Sequence, residues 1–246
     1  MAIFKRKCAV KPAIQNCLRA HALIAKNVAI LRGDTLLCSQ VNFSVSSGQI
    51  LHIQGSNGIG KTTLMMMLAG LIPLEGIYKT TLLWGDQLPE DWSVLYIGHA
   101  TGLNAGLTVR ENLRFIQGLN SDSAFDFDSN LGLDAALDAV GLSGYDDINV
   151  VQLSSGQKRR VCLARLWLTE DADRLWLLDE PFTALDTAMI TRLTARLVQH
   201  TKDGGRVILT SHQPLTIDAD ILNLEQHAVQ HDGADVDLDI ESASLC

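Results

Sequence analysis

The chain lacks a run of about twenty apolar residues, the length that a helix needs to cross a bilayer. Its N-terminus also lacks the apolar segment and the small-residue cleavage site of a secretory signal. The five cysteines are odd in number and contain no CxxC pair, which disfavours both a disulfide framework and a zinc site. We therefore expect a cytoplasmic protein with reduced thiols, whose membrane-spanning partner, if it has one, is another chain.

Charge of one sign is missing from each end of the chain. The first 33 residues contain seven basic residues and no acid, whereas eight acids and no lysine or arginine follow Arg206. The net charge of −8 therefore combines a basic head with an acidic tail. The head could contact anionic lipid or nucleic acid. A solvated leader ahead of the folded domain is the favoured interpretation, and no nucleic-acid partner is expected.

One glycine-rich segment, GSNGIGKT, lies between an alternating strand pattern at 50–54 and an apolar helix pattern. It matches G-x-x-x-x-G-K-[ST] in the strand-to-helix setting that this motif requires. The glycines let backbone N–H groups surround phosphates, and the helix N-terminus adds the positive end of its dipole. Lys61 would neutralise the β- and γ-phosphates, and the Thr62 hydroxyl would help to hold Mg²⁺. We predict nucleotide binding by Gly55, Ser56, Asn57, Gly58, Ile59, Gly60, Lys61, Thr62 and Thr63.

A second strand pattern, RLWLLDE at 174–180, ends in two acids. Continuous apolar residues are typical of a buried parallel strand, and ligands bind at the carboxyl ends of such strands in α/β sheets. Asp179 would bind the Mg²⁺ ion, and Glu180 would orient or deprotonate the attacking water. The alternative is a strand that simply runs into a polar turn.

The segment LSSGQ at 153–157 resembles the LSGGQ signature of the ATPase subunits of ABC transporters. It begins the helical pattern KRRVCLARLWL, which leads into the acidic strand. The resemblance implies that Ser154, Ser155, Gly156 and Gln157 contact the γ-phosphate of an ATP held by a second copy of the chain, so that ATP is sandwiched in a dimer. Taken alone, LSSGQ could also be a simple helix cap. Ser155 departs from the family by replacing the first glycine of GG.

The same resemblance implies roles for two histidines. His212 ends the apolar strand pattern at 207–211, as does the family's switch histidine, which contacts the γ-phosphate. His99 stands eight residues before Leu107, where the family has a glutamine that coordinates Mg²⁺ and positions the water. A neutral imidazole can accept a hydrogen bond from water or bind a metal, and protonation removes that ability. Both histidines are predicted to be catalytic, and His99 also to bind Mg²⁺.

The base-binding segment also departs from the family, whose members usually stack adenine on an aromatic residue. Residues 27–32 contain no aromatic side chain. Arg32 is the candidate replacement because a guanidinium plane can stack on a base. A plain surface arginine is the alternative, which leaves base selectivity open.

The resemblance implies an α/β fold of the P-loop NTPase type, with a mixed sheet core and a smaller helical lobe. The ABC ATPase domain would span 26–225, with its core at about 27–98 and 170–225 and the lobe at about 100–168. Residues 1–25 would be a basic extension and residues 226–246 an acidic tail.

Within this family, GHATGLNAGLTVRENLRF and ARLWL are similar to the ATP-binding subunit of bacterial cytochrome c maturation complexes. The resemblance implies a peripheral position on the cytoplasmic face of the inner membrane. The implied partners are a haem-exporter membrane subunit, a haem-handling membrane protein and a haem chaperone. An ABC ATPase for another small substrate is the alternative. ABC ATPases of ribosomes or chromosomes fit less well, because the chain has one cassette and no sustained heptads.

Overall fold

The computed structural model describes residues 22–72, 80–84, 92–119, 132–168 and 174–229. Within these residues the strands are β1 (Leu23–Arg32), β2 (Thr35–Val45), β3 (Ile50–Gln54), β4 (Thr81–Trp84), β5 (Val94–Ile97), β6 (Leu175–Leu178), β7 (Arg206–Thr210) and β8 (Asp220–Asn223). The α-helices are α1 (Lys61–Leu68), α2 (Val109–Leu119), α3 (Leu133–Ala139), α4 (Ser155–Ala164) and α5 (Thr187–Lys202). No helix in this part of the chain is long and apolar enough to span a membrane.

A five-stranded parallel sheet in the order β5-β6-β7-β3-β8 forms the centre of the fold. The strands β6 and β7 are buried along their whole length. Their apolar runs do not alternate because both faces of the sheet are covered. Parallel pairing brings the carboxyl ends of β3, β6 and β7 to one edge, so the segments that follow these strands lie close together.

A second, antiparallel sheet in the order β2-β1-β4 covers one face of the parallel sheet. Leu64 and Met65 of α1 join this sheet in one apolar core. On the other face, residues of α2, α3, α4 and α5 share a second core with Trp176 of β6. The three helices from α2 to α4 occupy the part of the chain predicted as the helical lobe.

The ends of the described fold differ from the predicted boundaries by a few residues. The strand β1 begins at Leu23, inside the predicted basic extension, because Leu23 and Ala25 are buried against the sheet core. After β8, the N–H of Val229 donates to the carbonyl of Leu37 at 3.0 Å, so the start of the predicted acidic tail pairs with β2. The remainder of both terminal segments, 1–21 and 230–246, lies outside the described residues.

Candidate active site

The glycine-rich loop between β3 and α1 is tightly curved. Gly55, Gly58 and Gly60 have φ angles of +148°, +86° and +111°, which L side chains rarely adopt. A Cβ atom on Gly60 would also lie 2.7 Å from Cγ2 of Ile30. The glycine at position 60 is therefore required both by its backbone angle and by the space available.

Helix α1 begins at Lys61 without a side-chain cap. The first N–H groups of a helix have no partner within it, and together with the helix dipole they favour an anion. The Nζ atom of Lys61 donates to the carbonyls of Gly55 at 2.7 Å and Ser56 at 3.0 Å, so its charge lies over the loop. The loop, the helix end and the lysine together suit a polyphosphate.

A chain of hydrogen bonds joins the loop to the ends of β6 and β7. The Thr62 hydroxyl donates to Oδ2 of Asp179 at 2.8 Å, and the Thr210 hydroxyl donates to Oδ1 at 2.7 Å. The Thr210 hydroxyl also accepts the N–H of Glu180 at 2.9 Å. Sequence reasoning missed Thr210, although it lies at the end of the apolar pattern that predicted β7.

These oxygen atoms fit a magnesium ion. Hard divalent cations prefer carboxylate and hydroxyl oxygens, and Mg²⁺ usually binds one or two protein groups together with substrate phosphates and water. Among the described residues, no cluster of three or more His, Cys, Asp or Glu side chains could hold a metal by itself. An ion at Thr62 and Asp179 would therefore depend on phosphate oxygens for the rest of its coordination.

Glu180 lies directly against His212. Its Oε2 accepts the backbone N–H of His212 at 3.2 Å, and its Oε1 is 3.4 Å from Nε2 of the same residue. The backbone of Glu180 has a φ of +51°. A residue other than glycine is strained in this conformation, and such strain is concentrated at functional sites.

A cleft of about 370 Å³ brings most of the predicted site residues together. It is lined by Arg32, Leu37, Asn57, Gly58, Gly60, Lys61, Thr62, Thr63, His99, Asp179, Glu180 and His212. Leu37 is the one lining residue that sequence reasoning did not name. Gly55, Ser56 and Ile59 belong to the same loop but do not line the cleft. His99 and His212 are both exposed at its wall.

The four signature residues at 154–157 do not line this cleft. Ser154 caps α4 in a reciprocal arrangement: its hydroxyl accepts the N–H of Gln157 at 3.2 Å, and its own N–H donates to Oε1 of Gln157 at 2.8 Å. Ser154 and Ser155 are exposed, and Gly156 packs close to the carbonyl of Ala184. Ser154 is therefore the N-cap of α4, an arrangement compatible with either interpretation of LSSGQ, and the contact with a second copy stays a prediction.

Two charged residues that support the site were also missed. Glu225 accepts the N–H of Ser56 at 2.6 Å, and hydrogen bonds from the side chain and the backbone of Ser56 hold the pKa of Glu225 below its usual value. The backbone N–H of Ser56 is thus satisfied within the chain. Arg159 of α4 is buried beneath the cleft and donates to the carbonyls of Asp179 and Glu180. Arg159 lies three residues before Cys162 and four before Leu163, both buried, and this spacing was the sequence feature that could have predicted its burial.

Comparison with known proteins identifies the family. Residues 38–183 match the ABC transporter family. The chain is 44% identical over 201 residues to the cytochrome c biogenesis ATP-binding export protein CcmA of Saccharophagus degradans, which covers 78% of this chain and 87% of that protein. It is 45% identical over 202 residues to the protein of the same name from Shigella sonnei, which covers 79% of this chain and 91% of that protein.

A solved structure confirms the predicted fold class. An ABC transporter ATP-binding protein from Pyrococcus furiosus superposes with a TM-score of 0.71 over 85% of this chain and 100% of its own length. The two sequences are 19% identical, so this likeness concerns the fold alone. The family match, the identity to the two curated relatives and the fold agree, and the chain belongs to the ABC transporter family as an ATP-hydrolysing subunit.

Proposed function

We propose that this chain is the ATPase subunit of a membrane ABC complex for c-type cytochrome maturation. In that complex it couples ATP hydrolysis to haem export or to release of a haem-loaded chaperone. The observation that carries the biological role is 44% identity, over 78% of the chain, to a relative named as a cytochrome c biogenesis ATP-binding export protein. The chemistry itself is supported by the arrangement of groups around the cleft.

The loop and α1 bind the phosphates of ATP. Lys61 places its ammonium group beside the loop carbonyls, where it offsets the charge of the β- and γ-phosphates. Thr62 and Asp179 would hold Mg²⁺, and the bound ion would supply positive charge against the phosphate oxygens. Thr210 keeps the Asp179 carboxylate in place from its other oxygen.

Glu180 orients or deprotonates the water that attacks the γ-phosphate. Its carboxylate is held beside His212 by two contacts to that residue, and both residues line the cleft. His99, at the wall of the same cleft, would accept a hydrogen bond from the water or bind the metal through a ring nitrogen. These three residues are the proposed catalytic group.

Two copies of the chain act together in this proposal. Ser154, Ser155, Gly156 and Gln157 of one copy contact the γ-phosphate of the ATP bound to the other, from the exposed start of α4. A haem-exporter membrane subunit anchors the pair to the cytoplasmic face of the inner membrane. A haem-handling membrane protein and a haem chaperone complete the assembly.

Co-purification of the complex tests this assignment. A tagged chain carrying Glu180→Gln is isolated from membranes with ATP present, and the accompanying proteins and their haem absorption are measured. The native chain isolated without ATP is the control. We expect a membrane protein that carries haem to be enriched. Recovery of an unrelated permease without haem would instead assign the chain to a transporter for another small substrate.

A further inference from the structure

Helix α4 holds the loop that carries His99 through two donors on one face. Arg159 Nη1 donates to the carbonyl of Gly98 at 2.7 Å, and Cys162 Sγ donates to the carbonyl of Thr101 at 3.0 Å. Residues three apart in a helix project to the same side. Burial raises the pKa of Cys162 to about 11, so the sulfur keeps the proton that it donates. The peptide groups on both sides of His99 are thus attached to α4.

The guanidinium of Arg159 also holds the backbone of the predicted hydrolytic carboxylate. Its Nη2 donates to the carbonyls of Asp179 at 2.8 Å and Glu180 at 2.9 Å. Glu180 has a φ of +51°, and such a conformation persists only where its surroundings determine it. Arg159 fixes the carbonyl of Glu180, and Thr210 fixes its N–H. The strained backbone is therefore held from both sides.

An arginine suits this position for both its shape and its charge. The planar guanidinium presents several donors in a fixed fork, so one side chain can hold carbonyls from two strand ends. Arg159 is only 5% exposed. Burial lowers the pKa of its guanidinium, while the nearby carboxylates of Asp179 and Glu180 raise it. The hydrogen bonds of Nη1 and Nη2 and these negative charges offset the cost of burying the cation.

The same helix begins at the signature segment. Ser154 caps α4, and Arg159 follows one turn later. We propose that Arg159 and Cys162 are positioning residues that connect the signature segment to His99 and Glu180. Contact of residues 154–157 with a second copy is then transmitted along α4 to the groups that carry out hydrolysis. This inference rests on the proposed ATP hydrolysis in the cleft, although not on the identity of the transported substrate.

Arg159→Lys tests the larger part of this connection. The ammonium keeps the charge but cannot hold three carbonyls in the geometry of the guanidinium. With the full chain we expect kcat for ATP hydrolysis to fall about tenfold, since small misplacements of catalytic groups have effects of this order. The KM for ATP should stay within about twofold because the phosphate-binding loop is untouched. Arg192→Lys is the matched control, because the guanidinium of Arg192 also donates to backbone carbonyls, those of Asp138 and Ala139, but lies outside the cleft, and it should change neither value.

Cys162 provides a second test through His99 alone. Cys162→Ala removes the donor to Thr101 and should lower kcat about threefold, whereas Cys162→Ser keeps a donor and should restore it. In a His99→Ala background, Cys162→Ala should have no further effect, because the positioned group is gone. An equal loss in both backgrounds would overturn the connection.

The outcomes separate this inference from the proposed function. A native chain that does not hydrolyse ATP contradicts the proposed function itself. A native kcat in Arg159→Lys, or a KM that rises in parallel with the loss of kcat, contradicts only the positioning role of Arg159. If Arg159→Lys does not fold, as measured by its melting curve, the Cys162 and His99 cycle decides the question.

Discussion

The carboxyl ends of β6 and β7 carry polar groups at the cleft, whereas their amino ends are part of the packed core. At their carboxyl ends Asp179, Glu180 and Thr210 form a hydrogen-bonded polar group at the cleft. Toward their amino ends, Trp176 is fully buried and stacks on His200, with 3.6 Å between ring centroids and 2° between ring planes.

The two ends differ in the surroundings of their buried ionisable side chains. Asp179 is buried, yet each of its two carboxylate oxygens accepts a hydrogen bond from a threonine hydroxyl. His200 is also buried, and burial lowers its pKa to about 4, so its ring stays neutral and packs like an aromatic side chain. Substitutions at the carboxyl ends should therefore change activity first, and those at the amino ends should change stability first.

Glu180→Gln should separate the two properties most clearly. The amide keeps the shape of the side chain but cannot take a proton, so hydrolysis should fall by at least about 100-fold. ATP binding and the melting temperature should remain close to those of the native chain. Steady-state hydrolysis, ATP titration and thermal unfolding measure the three quantities. Turnover near the native value would contradict the role of Glu180.

Thr210→Val should affect both properties because its hydroxyl is buried and bridges Asp179 to the N–H of Glu180. We expect turnover to fall about tenfold. The free energy of unfolding should fall by about 1–3 kcal/mol, since buried polar groups lose their partner. Thr191→Val, on the exposed side of α5, is the control for the loss of a hydroxyl. Unchanged hydrolysis in Thr210→Val would show that the bridge is only structural.

Gly205→Ala should affect stability alone. The new Cβ atom would lie 2.2 Å from Nε2 of His200, whose ring cannot move without leaving Trp176. Such overpacking costs about 1–3 kcal/mol, measured by urea unfolding. Hydrolysis per folded molecule should not change. The same substitution in a His200→Ala background should cost little, and an equal cost there would point to a different cause.

The pH dependence of stability gives a smaller effect with a defined sign. His200 has a pKa of about 4 in the folded chain and an ordinary value of 6.5, so the unfolded chain binds more protons between these values. The contribution of a neutral His200 is complete above about pH 6.5 and is lost as the pH falls toward about 4. Urea unfolding at several pH values should show this decline. His200→Phe should reduce it, and an identical decline in that variant would contradict the assignment.

Arg32→Ala should have the smallest effect. Arg32 and Leu37 line the part of the cleft next to the glycine-rich loop, where a base could stack on the guanidinium. We expect the KM for ATP to rise about two- to threefold with kcat unchanged, as for a lost ground-state contact. Lys26→Ala, exposed on the same strand and outside the cleft, is the control. An unchanged KM would make Arg32 an ordinary surface residue.

Local patterns in the sequence predicted the strands and the loop that carry the site. The apolar run of β6 and the glycines before Lys61 depend on neighbours in the chain, so their structure could be inferred. Local spacing could indicate that Arg159 is buried but not which groups it contacts, because its partners include Gly98, which is 61 residues away in the chain. Ser56 and Glu225 are 169 residues apart in the chain, so local spacing could not predict their contact either.

The boundaries of the domain illustrate the same limit. Leu23 lies in a basic segment whose composition suggests a solvated leader, yet it pairs with Val45 and is fully buried. Pairing between β1 and β2 and between β2 and Val229 brings residues of both predicted terminal segments into the described fold. These pairings cannot be predicted from the composition of the terminal segments.

Haem attachment in cells tests the central claim most directly. Cells that lack this chain are supplied with the native form or with Glu180→Gln, and their covalently bound haem in c-type cytochromes is measured by haem staining. The amount of each chain in the membrane fraction is measured in parallel. The account predicts that the native chain restores haem attachment and that Glu180→Gln, present at the same level, does not. Equal restoration by both forms would contradict the claim that ATP hydrolysis in this cleft drives cytochrome c maturation.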